Sequence, residues 1–214
     1  MAIAVFFTSG PSIAVAQNLA SQTIETCSAA TKLDAEFLAG FESMGWTRVS
    51  FSDANKFSTI FSDGVAAATV DGRTEPNDWP HTLPLAQKFA TLVFNGSFAD
   101  PPTTTVLLDK NGKAALAVYK DKSYPDLFRC FYSGPSDAEL DETLALLSQL
   151  DDRTGWQQGT PGVQLATIDN INGDRRISTQ IARFVRSMTG DFGREARVEL
   201  GFSLFNTPIG TPIK

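Results

Sequence analysis

The spacing of apolar residues is helical in the first half of the chain and alternates in much of the second half. Phe37, Phe41 and Met44 recur on one face of a helix. Asp34 suits the N-cap of this helix, and Gly45 suits the position just past its C-terminus. We therefore predict a helix between Asp34 and Gly45.

Four further stretches show helical spacing or helix-start signals. They are residues 17–30, which carry Cys27; residues 52–68; a stretch that starts at Thr82 or Leu83 with Pro84 in its first turn; and a stretch that follows a capping box of Ser136 and Glu139. In the third stretch, we expect Leu85, Phe89, Leu92 and Val93 to face inward. Asp63-Gly64 interrupts the second stretch, so a shorter helix followed by a strand is an alternative there.

The second half of the chain predicts strands joined by tight turns. The clearest hairpin pairs residues 103–108 with residues 113–120 across Asp109-Lys110-Asn111-Gly112, because Asn-Gly accepts the positive φ angles of a hairpin turn. Other strands are predicted at 46–51, 127–132, 163–168 and 197–205, with a turn at 170–174. Residues 175–188 fit either a helix or a strand, and the Asn172-Gly173 turn before them favours a strand.

These elements predict one α+β domain over residues 17–206. We expect an antiparallel sheet of hairpins or a meander, with helices packed on one face and one disulfide. Residues 207–214 contain two prolines and are predicted to form an extended tail.

The two cysteines are expected to pair. Cys27 and Cys130 are the only cysteines in the chain, and their number suits a single disulfide in an oxidising compartment. Each lies seven residues before an Asp-Ala-Glu sequence, and Gly-Trp follows each of these sequences. Residues 27–46 and 130–156 could therefore be an internal duplication, or two helices whose acidic first turns match by chance.

Residues 1–16 are expected to be a signal peptide. An apolar stretch from Ala2 to Phe7 precedes Ala14-Val15-Ala16, which has the small-x-small pattern of a signal-peptidase site. A basic region at the start is missing, so a first strand from Ile3 to Thr8 is the alternative. Export predicts a periplasmic or secreted protein.

Charge narrows the classes of partner. The net charge of −6 argues against nucleic-acid binding, which favours a basic face. The C-terminal part is nevertheless basic, with the arginines Arg175, Arg176, Arg183, Arg186 and Arg197. They could meet an anionic envelope component or an acidic envelope protein, or they could pair with the acidic remainder of the same chain. No apolar stretch is long enough to predict an integral membrane protein.

A polar loop before the helix predicted to start at Thr82 or Leu83 holds the other candidate site. It contains Asp71, Arg73, Glu75, Asp78 and the only histidine, His81. These residues could bind a ligand, or His81 could act as a general base. Residues 169–174 resemble a calcium loop but lack its ligand pattern, so we predict neither a metal nor a cofactor.

These observations favour a non-catalytic binding or structural-interaction protein of the bacterial envelope. The alternative is an envelope hydrolase with its site in the Asp71–His81 loop.

Overall fold

The computed structural model describes residues 18–69, 79–120, 126–137, 139–147, 157–158, 163–184 and 198–210. The α-helices in these ranges are α1 (Leu19–Ala29), α2 (Ala35–Ser43), α3 (Ala54–Thr69), α4 (Trp79–Gly96) and α5 (Leu140–Leu147), and a 3-10 helix covers Phe51–Asp53. The strands are β1 (Trp46–Arg48), β2 (Thr104–Asp109), β3 (Ala115–Lys120), β4 (Phe128–Gly134), β5 (Gln157–Gln158), β6 (Val163–Asn172), β7 (Arg175–Phe184) and β8 (Leu200–Pro208). The predicted signal peptide lies outside the described residues.

The described strands form one antiparallel sheet in the order β1-β2-β3-β4-β8-β7-β6-β5. The strands β1 to β4 and β5 to β8 run as two meanders that meet where β4 pairs with β8. At this junction Cys130 lies opposite Leu204, and Tyr132 lies opposite Phe202. The α+β class and the antiparallel meander are therefore confirmed.

Helices cover both faces of the sheet, whereas the sequence predicts helices on one face only. Leu116 and Val118 of β3 pack in a core with α1 and α2. Ala115 and Ala117 of the same strand pack on the other side in a core with α3 and α4. The prediction of one face was wrong because β3 is apolar at consecutive positions, and a strand apolar on both sides must be buried on both sides.

Helix α1 is fastened to the sheet by the predicted disulfide. Cys27 and Cys130 are bonded, with an S–S distance of 2.09 Å, and both residues are fully buried. The carboxylate of Asp137 accepts hydrogen bonds from the backbone N–H groups of Ala20 and Ser21, at 2.8 and 3.0 Å. A residue 117 positions away thus caps the N-terminus of α1, where the unpaired N–H groups favour a negative charge.

The two cysteine outlines adopt different structures. Cys27 lies in helix α1, whereas Cys130 lies in strand β4. Asp34 caps its own helix α2 by accepting from the N–H of Phe37 at 3.0 Å, whereas Asp137 caps α1. The structure therefore does not support a duplication, and Gly155-Trp156 lies outside the described residues.

Helix α3 is continuous through Asp63-Gly64, so the alternative of a helix followed by a strand is wrong. The hydroxyl of Ser133 on β4 accepts a hydrogen bond from the N–H of Gly64 at 3.1 Å and donates to the carbonyl of Ile60. This hydroxyl therefore joins the sheet to both members of one i, i+4 pair of the helix. Glycine stands in mid-helix because the sheet lies close at that point.

Helix α4 begins at Trp79 and not at Thr82 or Leu83 as predicted. Pro84 consequently lies inside the helix. Ala86, Ala90, Val93 and Phe94 are buried, whereas Leu85 and Leu92 are 65% and 69% exposed. The expected inward face was wrong for both leucines because small alanines, and not the larger leucines, allow α4 to lie close to α3.

The predicted hairpins are present. Gly112 has a φ of +62° in the β2–β3 turn, and Gly173 has a φ of +61° in the β6–β7 turn. Residues 175–184 of the ambiguous stretch are a strand. The predicted tail begins too early, because Thr207 and Pro208 belong to β8, where they lie opposite Arg176 and Arg175.

Candidate functional site

The structure describes little of the predicted polar loop. Asp71, Arg73, Glu75 and Asp78 lie outside the described residues. The backbone of His81 lies in the first turn of α4 and not in a loop, and its side chain lies outside the description. Among the described residues, no group of His, Cys, Asp or Glu side chains could hold a metal ion. The hydrolase reading stays a prediction.

The C-terminal arginines do not form a single face. Arg175 and Arg183 point to the side of the sheet that carries α1, whereas Arg176 points to the side that carries α3, because side chains alternate along β7. Arg186 and Arg197 lie outside the described residues.

Arg175 is a structural residue. Its guanidinium is buried and donates to the side-chain oxygen of Asn206, to the carbonyl of Thr31 at 3.2 Å and to the carbonyl of Asp126. Burial lowers the pKa of Arg175, and the charges of Asp174 and Asp126 oppose this shift. These contacts place the cation just past the C-terminus of α1, where a positive charge is favourable.

The other two C-terminal arginines in the described part of the chain, Arg176 and Arg183, make ion pairs. Arg183 contacts Asp141 of α5 at 2.7 Å, and Arg176 contacts Asp169 of β6 at 3.5 Å. The pair of Arg176 and Asp169 is about half exposed, and such pairs contribute little to stability. Arg176 therefore remains accessible to a partner.

A different arginine stands out on the face that carries α3. Arg129 of β4 lies opposite Tyr119 of β3 and opposite Phe205 of β8. Phe205 in turn lies opposite Ser178 of β7, which lies opposite Asp169 of β6. Because residues opposite each other in a sheet share a face, these five form one row, and each is partly exposed.

The guanidinium of Arg129 is held by an aromatic ring, and no carboxylate in the described part of the chain pairs with it. Its central carbon lies 4.4 Å from the centre of the Phe205 ring. Its Nε is buried and finds no hydrogen-bond partner within the described part of the chain. Stacking on a ring fixes the plane of a guanidinium while its N–H groups remain free to donate.

This arrangement is suited to binding an oxyanion. A guanidinium presents a planar fork of donors that matches the two oxygens of a carboxylate or phosphate. Arg176 lies on the same face as Arg129. It is on β7, one strand beyond Phe205, and two residues along that strand from Ser178, which lies opposite Phe205. Neighbouring strands are about 4.8 Å apart and each residue rises about 3.4 Å, so the Cα atoms of Arg129 and Arg176 are about 12 Å apart.

Sequence reasoning missed Arg129 because it treated residues 127–132 only as the strand that carries Cys130. The signal was present, however. Arg129 is the one charged residue in the predicted strand 127–132, whose other residues are apolar or aromatic. Which residue would face Arg129 depended on the pairing of β4 with β8, which brings Phe205 beside it.

Comparisons with protein-family models, curated proteins and solved structures found no match to this chain. None of the helices in the described ranges is long and apolar enough to cross a membrane.

Proposed function

We propose that this chain is an exported, non-catalytic binding protein that holds an anionic group of a bacterial envelope component on the sheet face around Arg129. The observation that carries the proposal is the stacking of Arg129 on Phe205, with the Nε atom buried and without a hydrogen-bond partner in the described part of the chain. Because Nε is itself buried, a bound oxyanion would accept from the terminal N–H groups of the guanidinium, whose plane the Phe205 ring fixes.

Two further features support the proposal. The disulfide between Cys27 and Cys130 is typical of oxidising compartments such as the periplasm or the exterior. Arg176 lies on the same face and is 55% exposed, although Asp169 pairs with it at 3.5 Å. The anion-binding role predicted for the C-terminal arginines is thus kept for Arg176 and passes from Arg175 to Arg129.

The experiment measures the binding of inorganic phosphate and of acetate by their effect on the backbone amide resonances of the protein. For the wild type, we expect saturable shifts of the β4 and β8 amides near Arg129 and Phe205. Arg129→Ala should abolish the saturation. Arg129→Lys should retain only part of it, because lysine keeps the charge but loses the fork and the stacking plane.

A matched control is Arg48→Ala. Arg48 is an exposed arginine that pairs with Glu42 at 3.1 Å on the other face of the sheet. This variant should bind both anions as the wild type does. Anion-induced shifts that survive Arg129→Ala, or that are lost equally in Arg48→Ala, would refute the site.

A further inference from the structure

We infer that the anionic group held at Arg129 is carried by a saccharide, so that the ligand is a sugar with a carboxylate or a phosphate. This inference rests on the proposed function and adds the chemical class of the ligand. Three features support it: the polar side chains on the face of Arg129, the interior position of the strands that carry them, and the net charge of the chain.

The side chains that β7 and β6 present on the face of Arg129 suit hydroxyl groups. Ser178 lies next to Phe205 in the row of Arg129, and Gln180 and Thr167 lie in the adjacent row, directly opposite each other. Gln180 and Thr167 are exposed, and Ser178 is partly exposed. Hydroxyl and amide groups both donate and accept hydrogen bonds, and sugar hydroxyls require partners of both kinds.

The spacing of these groups fits an extended ligand. Ser178 is two strands away from Arg129, which corresponds to about 10 Å between Cα atoms. A ligand whose anionic group sits at Arg129 therefore needs further polar groups at about this distance to reach Ser178 and Gln180. A disaccharide or longer acidic saccharide has hydroxyls along its whole length.

A peptide fits this face less well. Peptides that bind to sheets usually add a strand at an edge, where backbone groups are free. Arg129, Phe205 and Ser178 instead lie on strands that pair on both sides, so β4, β8 and β7 are interior strands. The face consequently offers side chains but not the unpaired backbone of a sheet edge.

A densely anionic surface also fits less well. The chain has a net charge of −6, and an anionic membrane would repel it as a whole. The attraction of two arginines is screened over a Debye length of about 8 Å at physiological salt. The site is therefore suited to isolated anionic groups on an otherwise neutral, hydroxyl-rich carrier.

The test compares five probes by titration calorimetry: trigalacturonic acid, a sugar phosphate, the neutral trisaccharide maltotriose, an Asp-rich peptide, and vesicles of phosphatidylglycerol. We expect the first two to bind at least tenfold more tightly than the other three. The sugar acid and the sugar phosphate distinguish a carboxylate source from a phosphate source.

Variants separate the saccharide from its charge. Ser178→Ala and Gln180→Ala should each weaken binding of the acidic saccharide by about three- to tenfold, the usual effect of one hydrogen bond. Neither should change the binding of inorganic phosphate at Arg129. Thr105→Ala serves as the control, because the side chain of Thr105 points to the face of the sheet opposite to that of Arg129. Its neighbour Thr104 is the residue of β2 in the row of Arg129, since it lies opposite Tyr119, and side chains alternate along a strand.

The outcomes are distinct. Peptide or vesicle binding that equals or exceeds saccharide binding would overturn the inference while leaving the anion site intact. Saccharide binding unaffected by both Ser178→Ala and Gln180→Ala would also overturn it. A wild-type protein that does not bind inorganic phosphate would instead refute the proposed function.

Discussion

Gly64 of helix α3 lies directly against Gly201 of strand β8. A methyl group placed at Gly201 would be 2.6 Å from the carbonyl carbon of Gly64 and 2.7 Å from its Cα. These distances are below any normal contact, and the atoms concerned belong to the backbone, which cannot move aside as a side chain can. The contact of two glycines thus sets how closely α3 approaches the sheet.

We expect Gly201→Ala to lower the free energy of unfolding by about 1–3 kcal/mol, the usual cost of overpacking. Gly64→Ala should also destabilise the protein, although alanine is the better helix former, because its methyl group would lie 2.5 Å from Cβ of Ser133. Urea denaturation measures both. Gly40→Ala is the control, since Gly40 lies inside α2 with no atom within 4 Å of an added methyl group. Gly40→Ala should stabilise the protein by up to about 1 kcal/mol. A Gly201→Ala protein as stable as the wild type would contradict the contact between Gly64 and Gly201.

Asn206 holds the C-terminus of α1, and its removal should be costly. Its amide donates to the carbonyls of Cys27 and Ala30 at 2.9 and 2.8 Å, and its oxygen accepts from Arg175. Asn206→Ala leaves these buried groups without partners, at about 1–3 kcal/mol for each group. We expect a loss of at least about 2 kcal/mol and faster hydrogen exchange at the end of α1. Asn172→Ala should change little, because Asn172 is exposed and its contact with Ser28 is 3.5 Å long.

Truncation at two neighbouring positions of α4 should have very different costs. Val93 is buried in the core between α3, α4 and the sheet, whereas Leu92 is 69% exposed. We expect Val93→Ala to cost about 1–3 kcal/mol, in line with buried large-to-small changes, and Leu92→Ala to stay within about 0.5 kcal/mol. Thermal unfolding of both variants measures this difference. Equal losses would mean that α4 is rotated about its axis.

The disulfide should resist reduction in the folded protein. Both cysteines are fully buried, so a thiol reagent reaches the sulfur atoms only after local opening. We expect reduction by dithiothreitol to be slow in native buffer and fast in denaturant, as followed by alkylation and peptide mapping. The Cys27→Ala/Cys130→Ala variant should lose about 2–5 kcal/mol, since the bond closes a separation of 103 residues. Rapid native reduction would contradict the burial.

Tyr132 should make stability depend on alkaline pH. Burial raises the pKa of its phenol well above its ordinary value of 10.0, and Asp137, Asp109 and Glu199 act in the same direction. Below pH 10 both the folded and the unfolded state keep this proton, so the contribution to stability is fully present. Above pH 10 the unfolded state loses the proton first, and the folded state therefore loses stability as pH rises.

Near-ultraviolet absorbance of tyrosinate can follow this titration. We expect one of the three tyrosines to ionise only as the protein unfolds, and Tyr132→Phe should remove that step. The variant also lacks the hydrogen bond that the hydroxyl donates to the carbonyl of Pro135 at 2.7 Å. It should therefore be less stable at neutral pH. Ionisation of all three tyrosines near pH 10 in the folded protein would contradict the burial of Tyr132.

Much of the fold could be read from local patterns. Asp34 caps α2, Gly45 follows it with a φ of +92°, and Asn111-Gly112 turns between β2 and β3, as the sequence predicts. The pairing of Cys27 with Cys130 follows because the chain has no other cysteine. Each of these features depends on the conformational preference of a few adjacent residues or on residue count.

The functional face could not be read in this way. Arg175 and Arg176 are adjacent in sequence, yet the first is buried at the end of α1 and the second is exposed on the opposite face. Arg129 becomes a candidate only because β4 pairs with β8 and brings Phe205 beside it. Charge counting along the chain treats all arginines alike, whereas burial and partners distinguish them.

The sequence by itself therefore determined most of the elements, the cap of α2, the two hairpin turns, the antiparallel class and the disulfide, because local backbone preferences and a single possible cysteine pair decide these features. It did not determine the cap of α5, because the N–H of Ser136 donates to Glu199 and not to Glu139 as the predicted capping box requires.

Only the tertiary structure decided that helices cover both faces, that Gly64 meets Gly201 and that Arg129 stacks on Phe205. These depend on which distant strands pair and in which register, and the energy that selects them is spread over many contacts between residues far apart in the chain.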